Sequence, residues 1–215
     1  MKNKIEGDVL DVLKQIKAII TNSHIVYTSG KHGSAYVNKD AIYPHTEITS
    51  QLCLELAKHF SKSSVDVVIA PAIGGVILSQ WIAYHLTQLT GREVLGVYAE
   101  KSENADVFVI KRGYDKLCRS KKILVVEDIL TTGGSVKKVV EAVRTILGEV
   151  VGVAALCNRG NITTRELGEI PHLFSLAQVQ LEAWDESECP LCKDQIPINT
   201  DVGKGNEFLA RKSAK

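Results

Sequence analysis

The chain has 215 residues, of which 45% are hydrophobic and 24% are charged. At about 150 residues per domain, this length predicts one compact domain with appendages, and the average composition excludes collagen, coiled coil and bulk disorder. The 26 Lys and Arg residues nearly balance the 25 Asp and Glu residues. No basic field therefore indicates a nucleic acid or an anionic membrane as a partner, and any anionic ligand must be bound by local geometry.

Cysteine content and hydropathy indicate the compartment. Five cysteines, and an N-terminal segment that alternates charged and apolar residues, predict a protein of the reducing cytoplasm. Residues 67–91 contain no Asp, Glu, Lys or Arg, but Pro71, Gly74, Gly75 and several polar side chains divide them. We therefore expect a buried strand, a turn and a buried helix there, and no membrane span.

The first 45 residues predict a small N-terminal hood. Apolar residues at helical spacing predict a helix over about 8–20. Two apolar triplets, 25–27 and 35–37, flank a glycine-containing turn and predict a short hairpin. A further helix is expected over 46–61, where the hood ends.

The pattern then changes to an alternation of strands and helices. Strands are predicted at 65–69, 93–98, 122–127 and 150–157, and helices at 75–89 and 136–147. Buried β-branched runs separated by helices predict an α/β fold whose mainly parallel sheet has helices on both faces. Ligands of such folds bind at the carboxyl ends of the strands.

Two segments interrupt or follow this pattern. Residues 101–121 are polar and charged around the apolar piece 107–110, so we predict a partly mobile lid loop in which that piece can form a hairpin. Residues 204–215 are polar and predict a frayed tail. We therefore expect a single domain over 1–203.

The segment with the clearest chemistry is 123–135, where an apolar strand ends in Glu127 and Asp128 and continues into a turn that opens a helix. The turn combines hydroxyls and glycines with the N–H groups of a helix N-terminus, which suits a phosphomonoester. It is neither a Walker loop nor a dinucleotide fingerprint. The two carboxylates would repel a bare phosphate, but they can accept hydrogen bonds from the vicinal hydroxyls of a sugar phosphate.

Residues 127–135 resemble the 5-phosphoribosyl-1-pyrophosphate (PRPP) signature of the type I phosphoribosyltransferases. The resemblance implies the type I phosphoribosyltransferase fold. It also implies that the acidic pair holds the ribose hydroxyls and that the turn binds the 5-phosphate. The implied PRPP-binding residues are Glu127, Asp128, Ile129, Leu130, Thr131, Thr132, Gly133, Gly134 and Ser135.

Further segments resemble the orotate phosphoribosyltransferases, and the likeness covers about residues 20–185. Residues 28–31 and 36–38 look like the hood segment of that branch, 70–75 like its pyrophosphate loop, and 158–160 like the stretch whose arginine contacts the orotate carboxylate. The implied pyrophosphate-binding residues are Ala72, Ile73, Gly74 and Gly75, and the implied orotate-binding residues are Thr131, Arg159 and Tyr36.

The resemblance also implies catalytic roles for Lys101 and Asp128. Lys101, with Lys111 or Arg112 as further candidates, would close over the pyrophosphate. The chain departs from the orotate branch at Thr28, where lysine is frequent, at Ile73 and Gly74, where a Tyr-Lys pair is frequent, and in having no histidine within 101–121.

The implied cofactor is Mg²⁺, held by substrate oxygens with no direct protein ligand. The implied partners are PRPP, a nucleobase and a second copy of the chain in a homodimer. Orotate is the favoured base for transfer of the phosphoribosyl group in pyrimidine biosynthesis. A purine-base transferase of the same fold and a non-catalytic PRPP-binding regulator remain as alternatives.

Cys189 and Cys192 form a C-x-x-C motif near the C-terminus. A structural zinc site needs four ligands, and the sequence has no second C-x-x-C or H-x-x-x-H to complete one. Cys157 or a dimer partner would have to supply the rest, and a redox motif is expected at the start of a βαβ helix instead. We therefore expect a tail loop packed on the hood rather than a zinc site.

Overall fold

The structure, a computed structural model, describes residues 9–27, 29–179 and 182–213. These residues divide into two compact units. The first unit is His45–Val179, and the second combines 9–44 with 182–213. The C-terminal segment belongs to the same unit as the hood, and the single domain over 1–203 stays a prediction. None of the described helices is long and apolar enough to span a membrane.

The N-terminal part of the second unit is built from short elements. They are α1 (Val9–Gln15), β1 (Ile19–Ile20), β2 (Ile25–Val26), β3 (His32–Gly33), β4 (Tyr36–Val37) and a 3₁₀ helix (Lys39–Ala41). The helix expected over 8–20 ends early, because Lys17 has a φ of 56° and the residues after it pair with β4. The predicted pairing of 25–27 with 35–37 is wrong. β2 pairs with β3 instead, because Tyr27 and Lys31 close a tight turn with an N···O distance of 2.8 Å.

The first unit contains the elements that alternate along the chain. They are α2 (Thr46–Phe60), β5 (Val67–Pro71), α3 (Val76–Thr90), β6 (Leu95–Lys101), β7 (Phe108–Val109), α4 (Tyr114–Cys118), β8 (Lys122–Leu130), α5 (Gly134–Thr145), β9 (Glu149–Asn158) and β10 (Leu173–Gln178). The strands form one sheet in the order β10-β9-β8-β5-β6-β7. All neighbours are parallel except β6 and β7. The predicted α/β fold with a mainly parallel sheet is confirmed.

Helices cover both faces of this sheet. On one face α5 packs against the strands, and alternate strand residues such as Val67, Ile69 and Val125 are fully buried beneath it. On the other face α2 and α3 pack against each other and against the strands. Gly152 of β9 lies so close to α2 that a Cβ there would be 2.7 Å from Cε1 of Phe60. Burial on both faces explains why the strands are continuous apolar runs.

The segment expected to be a lid loop, 101–121, contains the short elements β7 and α4. Its apolar piece forms β7, which pairs antiparallel with β6, so the hairpin suggested by the sequence is present. Phe108 and Cys118 are buried in the core on the α5 side. Residues 102–107 form the exposed turn of the hairpin.

The second unit is completed by α6 (Pro190–Lys193) and α7 (Gly205–Ser213). The prediction of a frayed tail over 204–215 is therefore wrong for the part that α7 occupies. The physical reason is Phe208, which is 4% exposed and packs edge-to-face on His32 with ring centroids 4.9 Å apart.

The two chain segments of the second unit are joined by backbone hydrogen bonds. His32 and Trp184 donate to each other's carbonyls at 2.8 Å. Asn199 N–H donates to His24 O, and Lys204 N–H donates to Val26 O, both at 2.7 Å. The expected packing of the C-x-x-C loop on the hood is present. Cys157 or a dimer partner was the expected source of further ligands for this motif, but His24 and His32 are the residues that lie beside Cys189 and Cys192.

Stability should depend on the sheet core. Leu124 lies on the central strand β8 and is fully buried, whereas Leu89 on α3 is 45% exposed. We predict that Leu124→Ala lowers the free energy of unfolding by about 2–5 kcal/mol and that the matched Leu89→Ala changes it far less. Chemical denaturation of both variants measures this, and equal losses would contradict the described core.

Candidate active site

The carboxyl ends of β5, β6, β8 and β9 lie at one edge of the sheet, within the first unit. The register places Pro71 beside Ala99, and Leu130 beside Asn158. The last residues of these strands, together with the loops and the helix start that follow them, contain every predicted site residue except Tyr36. The edge therefore brings together the predicted PRPP loop, pyrophosphate loop, Lys101 and Arg159.

The acidic pair lies on β8 itself, which extends three residues beyond the predicted strand end. Glu127 is half-buried and Asp128 is 5% exposed. The carboxylate of Glu127 accepts a hydrogen bond from the N–H of Asp128 at 3.0 Å, and that of Asp128 accepts one from the N–H of Ile129 at 2.7 Å. The backbone thus orients both carboxylates, which as neighbours on a strand extend to opposite faces.

The turn after β8 forms a cavity of about 180 Å³ that is lined by Glu127 and by residues 129–136. Gly133 has a φ of 72°, and a Cβ there would lie 2.7 Å from Cδ2 of Leu167, so this position requires glycine. α5 begins at the next residue and directs the N–H groups of its first turn toward the cavity. The exposed hydroxyl residues Thr131, Thr132 and Ser135 lie at the same place. This arrangement suits an anion such as a phosphate.

Residues 158–160 are held against this turn by backbone hydrogen bonds. The carbonyl of Leu130 accepts hydrogen bonds from the N–H groups of Arg159 at 2.8 Å and Gly160 at 3.1 Å. Gly160 lies so close that a Cβ there would be 1.7 Å from the carbonyl oxygen of Thr131. The buried Asn158 side chain binds both backbone polar groups of Ile162. Half-buried Arg159 is therefore held beside the predicted phosphate turn.

The predicted pyrophosphate loop, 72–75, connects β5 to α3. Ala72 N–H donates to the carbonyl of Ala99 at 2.8 Å, so the loop starts in register with β6. The peptide bond between Ala72 and Ile73 is cis, and the Ile73 side chain is 88% exposed. A Cβ on Gly75 would lie 2.7 Å from Cβ of Ala70. Glycine therefore lets α3 begin directly against β5.

The cations near this edge differ in their contacts. Lys101 is exposed, and its Nζ lies 3.7 Å from Asp106. Asp106 also contacts Lys138 of α5 at 2.5 Å, and this lysine lowers the pKa of the Asp106 carboxyl. Arg112 is paired with Glu100 at 2.6 Å. Three residues were candidates for closing over pyrophosphate. Arg112 already has an acidic partner on β6, whereas the side chains of Lys101 and Lys111 are exposed.

One predicted orotate-binding residue belongs to the second unit. Tyr36 is on β4 of the second unit, where it pairs with Ile20, and its role in orotate binding stays a prediction. Thr28 lies outside the described residues.

At the site edge, burial raises the pKa of the Cys157 thiol to about 11, so this thiol is protonated at neutral pH.

Sequence reasoning missed residues that position others. Asn158 and Gly160 flank the predicted arginine, but their roles depend on contacts with residues 162 and 131 that no local pattern encodes. Asp106 and Lys138 were likewise missed, because their contact crosses from the β6–β7 turn to α5. The only sequence signal was the adjacent Arg-Gly pair, since glycine marks close backbone approach.

Comparison with known proteins agrees with this geometry. The phosphoribosyl transferase domain family matches residues 40–187. The orotate phosphoribosyltransferase of Caldanaerobacter subterraneus subsp. tengcongensis is 37% identical over 193 residues, which are 88% of this chain and 93% of the relative. That of Chlorobaculum parvum is 33% identical over 200 residues, covering 93% and 97%.

Solved structures share the fold. The orotate phosphoribosyltransferase of Aeropyrum pernix matches with a TM-score of 0.61 and 24% identity over 79% of this chain and 93% of that one. An adenine phosphoribosyltransferase of Thermoanaerobacter pseudethanolicus matches with a TM-score of 0.59 and 18% identity over 79% and 99%. The fold alone therefore does not select the base. On the sequence matches, the chain belongs to the phosphoribosyltransferase family, in the branch of the orotate phosphoribosyltransferases.

Proposed function

We propose that this protein is an orotate phosphoribosyltransferase, which transfers the 5-phosphoribosyl group of PRPP to orotate and releases pyrophosphate. The observation that carries the proposal is the contact between Leu130 and residues 159–160, which holds an arginine beside the acidic pair and the phosphate turn. Relatives of that name, 33% and 37% identical over about nine-tenths of the chain, support the same activity. The product, orotidine 5-monophosphate, belongs to pyrimidine biosynthesis.

We propose that PRPP is bound along the sheet edge. The 5-phosphate would accept hydrogen bonds from the N–H groups and hydroxyls of residues 131–135. The ribose 2- and 3-hydroxyls would donate to Glu127 and Asp128, whose carboxylates the backbone already orients. The pyrophosphate would be received by residues 72–75, at the end of the neighbouring strand. The substrate thereby spans the adjacent strand ends of β8 and β5.

The transfer needs positioning and charge stabilisation more than covalent chemistry. The bond between the anomeric carbon and the pyrophosphate oxygen breaks as the base nitrogen attacks, so the leaving group gains negative charge and the ribose ring gains positive charge. Lys101 at the end of β6 can stabilise the leaving charge, and the carboxylate of Asp128 the ring charge. One such donor typically contributes on the order of 3 kcal/mol, or about a hundredfold in rate.

The donor set fits Mg²⁺, because hard carboxylate oxygens and substrate oxygens are the ligands that this ion prefers. Held near Glu127 and Asp128, the ion would neutralise part of the negative charge that develops on the leaving group. The chain itself orients the sugar hydroxyls and the phosphate.

Arg159 would hold the acceptor. Orotate carries a carboxylate, and a guanidinium can bind a carboxylate through two parallel hydrogen bonds. The main-chain contacts of residues 159–160 to Leu130 fix the origin of this side chain, so the base is directed toward the ribose. A neutral purine offers no such carboxylate, which favours orotate as the base.

We also propose that the protein is a cytoplasmic homodimer. All five cysteines are free, as expected in a reducing compartment. The outward side of α3 carries Ile77, Trp81 and Tyr84 at helical spacing, and Ile77 and Tyr84 are 40% and 54% exposed. An apolar stripe of this kind suits association with a second copy.

Base specificity tests the proposed function. Incubated with PRPP, Mg²⁺ and one base at a time, the protein should release pyrophosphate with orotate and not with adenine, guanine or hypoxanthine. Turnover of a purine without orotate consumption would assign the purine alternative. PRPP binding without pyrophosphate release from any base would identify a regulator.

The acidic pair should determine PRPP affinity. We predict that Glu127→Ala combined with Asp128→Ala abolishes PRPP binding and leaves the fold intact, because the ribose hydroxyls lose their acceptors. Calorimetric titration measures the affinity, and circular dichroism the fold. Glu149→Ala, at the opposite end of the neighbouring strand, is the control and should bind PRPP normally. Unchanged affinity in the double variant would contradict the assignment.

Arg159 should act on orotate more than on PRPP. We predict that Arg159→Ala raises the KM for orotate roughly tenfold to a hundredfold, the loss expected for hydrogen bonds to a charged group, with a smaller change for PRPP. Arg165→Ala, whose side chain is 85% exposed on the same loop, should leave both constants unchanged. Equal effects of Arg159→Ala on both substrates would remove the carboxylate role.

A further inference from the structure

Four side chains of the second unit converge on one point that the proposed transfer reaction does not use. They are His24, His32, Cys189 and Cys192. One potential ligand atom of each lies within 4.8 Å of all the others. We propose that the second unit binds one structural zinc ion through Nε2 of His24, Nδ1 of His32 and the two cysteine sulfurs.

The distances between these atoms are those of a tetrahedral zinc site. With Zn–N at about 2.05 Å and Zn–S at about 2.3 Å, a nitrogen and a sulfur ligand lie about 3.6 Å apart, and two nitrogens about 3.3 Å apart. Here both sulfurs lie 3.6 Å from Nε2 of His24, and Cys192 Sγ lies 3.3 Å from Nδ1 of His32. The two nitrogens are 2.8 Å apart, so binding of zinc would move the two rings apart by about half an ångström.

The imidazole of His24 is oriented as metal-binding imidazoles are. Its Nδ1 lies 2.7 Å from the carbonyl oxygen of Ile196, which can only accept, so Nδ1 carries the proton and Nε2 keeps its lone pair. A carbonyl that fixes the tautomer in this way is a regular second partner of zinc-bound histidine. The backbone of the C-terminal segment thus keeps Nε2 of His24 unprotonated and able to bind a metal.

The contact between the two histidine rings leaves one nitrogen of His32 without a hydrogen-bond partner among the described residues. If Nδ1 donates to the lone pair of His24, Nε2 becomes a buried acceptor, and within the described part of the chain no hydrogen-bond partner reaches it. With Nδ1 bound to zinc, Nε2 carries the proton instead, and the ring packs edge-to-face with Phe208. Zinc bound to Nδ1 therefore fixes the tautomer in which the buried Nε2 carries the proton.

Charge and burial favour the same ion. His24, His32 and Cys189 are at most 2% exposed, and Cys192 is half-buried. Two thiolates neutralise the two positive charges of zinc, so the complete site adds no net charge to this interior. A Rieske cluster also uses two His and two Cys, but on different irons. The N···S distances of 3.3–3.6 Å place imidazole and sulfur on one ion.

The site also explains how the second unit is held together. Its four strands are two residues long, and its two chain segments are separated by 137 residues of sequence between 45 and 181. The two histidines are the residues of the hairpin that bridge to Ile198 and Trp184. A metal bound to both histidines and both cysteines would link the two segments next to these backbone bridges. Small units with little hydrophobic core need such links for stability.

Metal content tests the proposal. The untagged protein, purified without chelator, should contain one equivalent of zinc per chain by inductively coupled plasma mass spectrometry. After exchange with Co²⁺ it should gain the visible and near-ultraviolet bands of tetrahedral cobalt bound by thiolate. Removal of zinc with a chelator should lower the thermal unfolding midpoint of the wild-type protein, because binding energy at such a site is folding energy.

The control is another buried cysteine. Cys189→Ser with Cys192→Ser should reduce zinc to background and make the unfolding midpoint insensitive to chelator. Cys118→Ala, which removes a buried thiol of the first unit, should retain one zinc per chain. Should the double variant fail to fold, the wild-type zinc content and cobalt spectrum decide the matter. Wild-type protein without stoichiometric zinc, or with a disulfide between Cys189 and Cys192, would overturn the proposal.

Discussion

The arrangement of the active site depends on the hydrogen bonds that the carbonyl group of Leu130 accepts. This group accepts hydrogen bonds from two successive N–H groups, those of Arg159 and Gly160, and so joins the ends of two neighbouring parallel strands beyond their regular ladder. The approach is close enough that residue 160 must be glycine. Because of this contact, the turn proposed to bind phosphate and the arginine proposed to bind the base carboxylate share one rigid support.

This support explains how a chain with a formal net charge of only +1 can bind a substrate as anionic as PRPP. Long-range charge contributes little to such a protein. Attraction must come from oriented N–H groups at the start of α5, from hydroxyls and from a few cations at the strand ends. Several of these cations have local acidic partners, as Lys101 and Lys138 do in Asp106. In the proposed site the acidic pair would favour a sugar phosphate over a bare phosphate, because its carboxylates need hydroxyl donors.

Much of the first unit could be predicted from sequence, because its signals are local. The strand, acidic pair and glycine turn of 123–135 are contiguous, and the α/β alternation follows from runs of apolar residues. The second unit could not be predicted in the same way. The pairing of β2 with β3, the burial of Phe208 and the meeting of His24 with Cys189 depend on contacts between residues up to 176 apart. Two histidines on a hairpin, eight residues apart, have no spacing in the sequence that marks them as a ligand pair.

The most direct test of the proposed ribose site compares the affinities of the protein for ribose 5-phosphate and for 2-deoxyribose 5-phosphate. Isothermal titration calorimetry measures both. The two ligands share the phosphate and differ in one hydroxyl that the acidic pair would accept. We expect ribose 5-phosphate to bind roughly tenfold to a hundredfold more tightly, the contribution of a hydrogen bond to a charged group. Equal affinities would mean that Glu127 and Asp128 do not hold the ribose, which would contradict the proposed site.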